Sequence, residues 1–132
     1  MRVLGLDYGS ARCGCALSDP TETIVTPIAP VERPATRRGM AALKELVRER
    51  KVGLVVVGLP LSLRGTDTDQ TRETRAFARS LASRLGEGTP VEMHDERFTT
   101  RMAQRMNDLA TESEDSRAAA LMLESWLSTR AR

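Results

Sequence analysis

The feature that most constrains this chain is the run Val52-Gly53-Leu54-Val55-Val56-Val57-Gly58-Leu59. Continuous β-branched and aliphatic residues with no polar alternation suit a strand buried on both faces. Such strands belong to sheets with helices packed on either side. The rest of the chain must therefore supply helices for both faces and neighbours for both edges of that strand.

The flanking segments meet this demand. Residues 2–7, RVLGLD, form a short apolar run ending in an acid, and 13–18, CGCALS, form another. Tyr8-Gly9-Ser10-Ala11-Arg12 reads as the turn between them, so the two make a hairpin. A third strand is expected at about 23–29, and Pro27 and Pro30 place it at an edge. Pro34-Ala35-Thr36 opens a helix reaching Lys51, with Met40, Leu43 and Leu46/Val47 at helical spacing. Pro60 to Thr68 is a polar loop. Residues 69–85 form a helix with Thr74, Phe77/Ala78, Leu81 and Leu85 on one stripe, ended by Gly86 and Gly88. Residues 90–94, PVEMH, are the last strand. Thr99-Thr100 starts a helix to about 110. Thr111-Glu112-Ser113-Glu114, a capping box, announces a final helix with the stripe Ala119, Met122/Leu123 and Trp126. The order β-β-β-α-β-α-β-α-α predicts an α/β fold: a mixed five-stranded sheet flanked by helices on both faces, in one domain spanning 1–132.

Composition excludes several classes. At 132 residues and 40% hydrophobic, the chain can build one core. No apolar run approaches the roughly 18 residues of a membrane span. The N-terminus meets an acid and a glycine too early for a signal peptide, so a cytoplasmic protein without a membrane partner is expected. The net charge of +2 permits nucleic acid without demanding it. Tyr8, Phe77, Phe98 and Trp126 are too few for a base-stacking platform. Cys13 and Cys15 flank a residue that faces the other way in a strand, and they are expected to be buried, reduced thiols.

Three acids stand at element ends. Asp7 closes the first strand, Glu96 follows the last, and Asp115 lies in the first turn of the final helix. Asp115 shares a face with Ala119 and Met122, which turns it toward the sheet. Converging carboxylates repel unless a cation sits among them. Mg²⁺ or Mn²⁺ suits an all-oxygen set, and such ions activate water and steady the leaving oxygen in phosphodiester hydrolysis. Singly, each acid has a plainer role: Asp7 in a turn, Glu96 beside Arg97, Asp115 at a helix dipole. Their joint placement suggests a site. His94, the single histidine, reads as structural. Asp95 is a possible further ligand, although alternation lets only one of Asp95 and Glu96 face the site. Arg12, Arg64 and Arg97 fall near the same strand ends, where they can meet phosphates, though scattered arginines are more often solvated surface. The loop 61–68 is either a plain turn or a crossing over substrate.

The motifs LDYGSARCGCALSD (6–19), VVVGLPLSLRGT (55–66), HDERFTT (94–100) and EDSRAAALMLESWL (114–127) resemble the YqgF/RuvX family of Holliday-junction-resolvase-like proteins. They cover almost the whole chain in order. The resemblance implies a ribonuclease H-like fold and a metal-dependent nuclease site, with the family's acids falling on Asp7, Glu96 and Asp115. It also implies a role in maturing the 5′ end of precursor 16S ribosomal RNA, with resolution of branched DNA as the older alternative. A monomer or homodimer acting on RNA, branched DNA or the small-subunit precursor is therefore expected. The stretch from Arg101 to Asp115 is short for the family and lacks its usual lysine. Cys13 stands where an aliphatic residue is usual.

Two readings of other classes compete. The first-strand DxG followed by a hairpin also occurs in actin-like ATPases and sugar kinases, but those need two lobes and this chain has room for one. A non-catalytic RNA- or ribosome-associated binding protein on the same fold would bind equally well without Asp7.

Overall fold

A computed structural model describes residues 1–96 and 114–130. Arg97, the helix expected over 99–110 and the capping segment from Thr111 to Ser113 lie outside the described residues.

Five strands form one sheet: β1 (Arg2–Asp7), β2 (Arg12–Ser18), β3 (Val25–Glu32), β4 (Val52–Leu59) and β5 (Val91–Asp95). Their order is β3-β2-β1-β4-β5. β1, β2 and β3 are antiparallel neighbours, whereas β4 runs parallel to both β1 and β5. Helices α1 (Arg37–Glu49) and α2 (Asp69–Leu85) make the crossovers into β4 and β5, as parallel pairing requires. The last helix, α3 (Glu114–Arg130), packs on β1 and β2. The mixed five-stranded sheet with helices on both faces is thus the expected one.

Strand parity decides which helix each residue meets. Leu4, Leu6, Cys13, Cys15, Val55 and Val57 pack with Met40, Leu43, Phe77 and Leu81 under α1 and α2. Val3, Ala16, Leu54 and Val56 pack with Ala119, Met122, Leu123 and Trp126 under α3. The all-apolar β4 run is explained by this double burial. Cys13 and Cys15 are buried free thiols on one face, with Gly14 turned to the other. No helix among the described residues is long and apolar enough to cross a membrane.

Element ends differ from expectation in three places. α1 begins after Thr36, whose hydroxyl accepts from the Gly39 amide at 3.1 Å, and it ends at Glu49 because Lys51 turns the chain with φ 54°. Pro90 lies before β5 rather than in it. β3 starts later and runs on to Glu32. Its register gains a residue between Ile28 and Val31 opposite Cys15 and Cys13. That bulge on an edge strand admits Pro30 without ending the ladder.

α2 spans the expected residues. Thr68 and Thr71 cap it reciprocally, and Thr71 Oγ1 also donates to the Pro60 carbonyl at 2.5 Å. The loop after β4 is thereby tied to the start of α2. Within the loop, the Ser62 and Thr66 hydroxyls lie 2.7 Å apart and Gly65 takes a φ of 82°.

Candidate active site

The sheet ends that carry the acids are built by the same parity. Val3 faces α3, and so does Asp7 at the end of β1, beside its β2 register partner Gly14. On β5 the α3 side takes His94, while Val91 and Met93 face α1 and α2. Asp95 follows Met93 to the far side. Glu96 lies one residue past β5, half-buried, and reaches Asp7. Of Asp95 and Glu96 it is Glu96 that meets Asp7; alternation allows only one of the two, and the family motif is what points to Glu96.

Asp7 and Glu96 are joined by a side-chain hydrogen bond. Burial pushes the Glu96 carboxyl up to about 8, helped by the Asp7 charge, their hydrogen bond and the Asp95 charge. Burial also raises Asp7, and the Asp115 charge adds to the rise, while the hydrogen bond from Glu96 opposes it. Near neutral pH the pair thus holds one proton: the Glu96 hydroxyl donates and the Asp7 carboxylate accepts.

Two glycines make this geometry possible. A Cβ on Gly58, the penultimate residue of β4, would lie 2.2 Å from Glu96 Oε1. The glutamate carboxyl thus occupies the space that any larger residue would fill. A Cβ on Gly14 would lie 1.9 Å from the Asp115 carbonyl oxygen. The first turn of α3 therefore rests directly on the β2 backbone. Ser116 fixes it there, accepting from the Cys15 amide at 3.3 Å and donating to the Ile28 carbonyl at 2.6 Å. Sequence reading missed Gly14, Gly58 and Ser116 as site-building residues. Their signal lay in CGC, VGLP and EDS, but the contact partners are distant in sequence.

Asp115 departs from its expected pose. Its backbone sits over the sheet, yet its side chain is 44% exposed and its Oδ2 lies 3.5 Å from Arg12 Nε. Its charge still reaches Asp7. The structure therefore brings Asp7 and Glu96 into contact and sets Asp115 beside them, turned to Arg12. Among the described residues no group of three or more acids, histidines or cysteines is gathered as a ready metal cage. Arg64 is exposed in the loop after β4, next to Leu63, which is 95% exposed. His94 is structural as expected: its Nε2 lies 3.0 Å from Ser125 Oγ on α3, and burial lowers its pKa.

The donor set fits a hard divalent cation. Asp7 and Glu96 offer carboxylate oxygens only, their one shared proton is what a cation would displace, and the Asp115 charge adds to theirs.

Comparison with known proteins agrees over the full length. The family model described as RuvX, Holliday junction resolvase, matches residues 1–129. A protein of Maridesulfovibrio salexigens, provisionally named pre-16S rRNA nuclease, is 38% identical over 134 residues, covering 96% of this chain and 98% of its own. Relatives with the same name from Mycobacteroides abscessus and Trichormus variabilis are 39% and 40% identical, covering 99% and 97% of this chain and 83% and 88% of theirs. Among solved structures, Thermus thermophilus RuvC aligns with a TM-score of 0.69 at 15% identity, over 99% of this chain and 96% of its own. The fowlpox virus resolvase bound to Holliday junction DNA aligns with a TM-score of 0.64 at 12% identity, over the whole of both chains. At such identities the structural matches speak for the fold.

Proposed function

Because this chain belongs to the RuvX family, we propose that it is a divalent-metal-dependent nuclease that trims the 5′ end of precursor 16S ribosomal RNA. The observation that carries this reading is the half-buried Asp7–Glu96 pair at the ends of β1 and β5, the two strands that flank β4, with Asp115 beside it. A carboxylate pair that shares a proton is a poor structural device, since each acid costs the fold its desolvation. It is a good cation trap.

Asp7, Glu96 and Asp115 would hold one or two Mg²⁺ or Mn²⁺ ions. The ion supplies positive charge for the transition state and lowers the pKa of the attacking water. The residues of the chain do the rest. Glu96 would meet the cation as a carboxylate, its proton released to solvent. Gly58 keeps the space that lets Glu96 point inward. Arg64, in its tied loop, and Arg12, at the start of β2, orient phosphate by charge-assisted hydrogen bonds; Arg97 is assigned the same part from its sequence position. Water attacks the phosphodiester and leaves a 5′-phosphate and a 3′-hydroxyl. The protein works in the cytoplasm, as a monomer or homodimer, on the small-subunit precursor.

A second reading, cleavage of branched DNA, is favoured by the family description. The two are separated by one assay. A labelled precursor 16S 5′ fragment and a four-way DNA junction are each incubated with Mn²⁺, Mg²⁺ or EDTA, using wild type and Asp7→Asn. Cation-dependent cutting of the RNA, absent in the variant, is expected. Cutting of the junction alone would move the substrate to DNA. Binding without cutting of either would leave a non-catalytic RNA-binding protein. Asp7→Asn is expected to fold as wild type, since it removes one of two repelling acids.

A further inference from the structure

We propose that Arg12 is a positioning residue that holds Asp115 out of the carboxylate set until a substrate phosphate takes its place. This rests on the nuclease reading above. The backbone of Asp115 cannot move freely: its carbonyl is pressed on Gly14, and the next residue, Ser116, is bonded to both β2 and β3. What remains adjustable is the side chain. Gly14 is the register partner of Asp7, so Asp115 stands over the strand position directly beside Asp7. From there its charge acts on Asp7. In the structure that carboxylate instead meets Arg12 at 3.5 Å.

Arg12 is suited to let go. Its side chain is 57% exposed and it projects on the α3 side, next to the carboxylates. A solvated ion pair of this kind is weak. A phosphodiester offers a guanidinium two oxygens in fork geometry, where Asp115 gives Arg12 a single contact at 3.5 Å. Phosphate arrival and release of Asp115 are then one exchange: Arg12 trades a carboxylate for a phosphate, and the freed carboxylate completes the cation's ligands. Cation and substrate would each strengthen the binding of the other, as linkage demands.

The test reads cation binding without nucleic acid. Free Mn²⁺ is followed by electron paramagnetic resonance during titration of wild type, Arg12→Gln, Asp115→Asn and the double variant, with Asp7→Asn alongside and thermal melts as a check on folding. Arg12→Gln is expected to bind Mn²⁺ about two- to fivefold more tightly than wild type, the worth of an exposed ion pair. In the Asp115→Asn background the same change should have no effect. Equal or weaker binding by Arg12→Gln overturns the proposal. So does equal tightening in both backgrounds, which is simple removal of a positive charge. If Asp7→Asn binds Mn²⁺ as wild type does, or if none of the proteins binds it, the metal-site reading itself fails and Arg12 falls with it.

Discussion

The two faces of the sheet are built to different rules. Under α1 and α2 the contacts are large and apolar: Leu4, Leu6, Val55 and Val57 against Leu43, Phe77 and Leu81. Under α3, Leu54, Val56, Met122, Leu123 and Trp126 also form a core, but toward the acids the sheet offers Gly14 and Ala16 and the helix answers with Ser116, Ala119 and Ala120. The first face fills volume. The second trades volume for closeness, so that helix backbone touches strand backbone and polar side chains meet between them. The proposed site lies on the α3 side, at the end where that packing thins to glycine, alanine and serine.

Substitutions on either face test this division. Leu81→Ala, on a residue fully buried under α2, should cost about 2–5 kcal/mol, read by denaturant unfolding. The fraction still folded should bind Mn²⁺ normally. Gly14→Ala puts a methyl group where the Asp115 carbonyl lies; overpacking of this kind costs about 1–3 kcal/mol. Unlike Leu81→Ala, it should weaken cation binding in whatever remains folded. A Leu81→Ala protein that lost the cation site while staying folded would break the separation of the two faces.

A finer test uses pH. The folded-state pKa of Glu96, about 8, lies above its ordinary value of 4.5. A raised carboxyl contributes stability that is complete below the unfolded value and lost as pH rises through the folded one. Glu96→Gln has no proton to lose. Without cations, its stability relative to wild type should therefore be flat below pH 4.5 and climb up to pH 8, by on the order of 5 kcal/mol. Urea unfolding in EDTA at pH 5 and pH 8 measures it. A gain of the same size at both pH values would show that the strain is not one of charge. The smallest effect is expected of His94→Ala, about 1 kcal/mol for leaving the buried Ser125 hydroxyl without its partner. Cleavage by the remaining folded protein should be nearly unchanged.

The elements that sequence reading located best were those with a strong local cause. The VVV run of β4 needs burial on both sides, and the Thr74–Phe77–Leu81 stripe with Gly86 behind it defines α2 without outside help. Asp7 and Glu96 were legible as acids at strand ends, and the choice of Glu96 over Asp95 rested on the family motif, since alternation leaves either open. The rest depends on partners far along the chain. Nothing local to Pro30 says that β3 can bulge and continue to Glu32. Nothing near Gly58 says that a glutamate 38 positions later needs its space. The Arg12–Asp115 pair lay out of view for the same reason: local pattern turns Asp115 toward the sheet, whereas its carboxylate follows an arginine at the other end of the sequence.

The Ser116 hydroxyl bridges to Cys15 across 101 positions of sequence. During synthesis the amino-terminal hairpin is thus made long before the helix that completes the acid set. Closing so long a loop is entropically slow. A nascent chain that already carries Asp7 still lacks Asp115. The third acid of the proposed set joins the first two only when α3 has been made and has docked on β2.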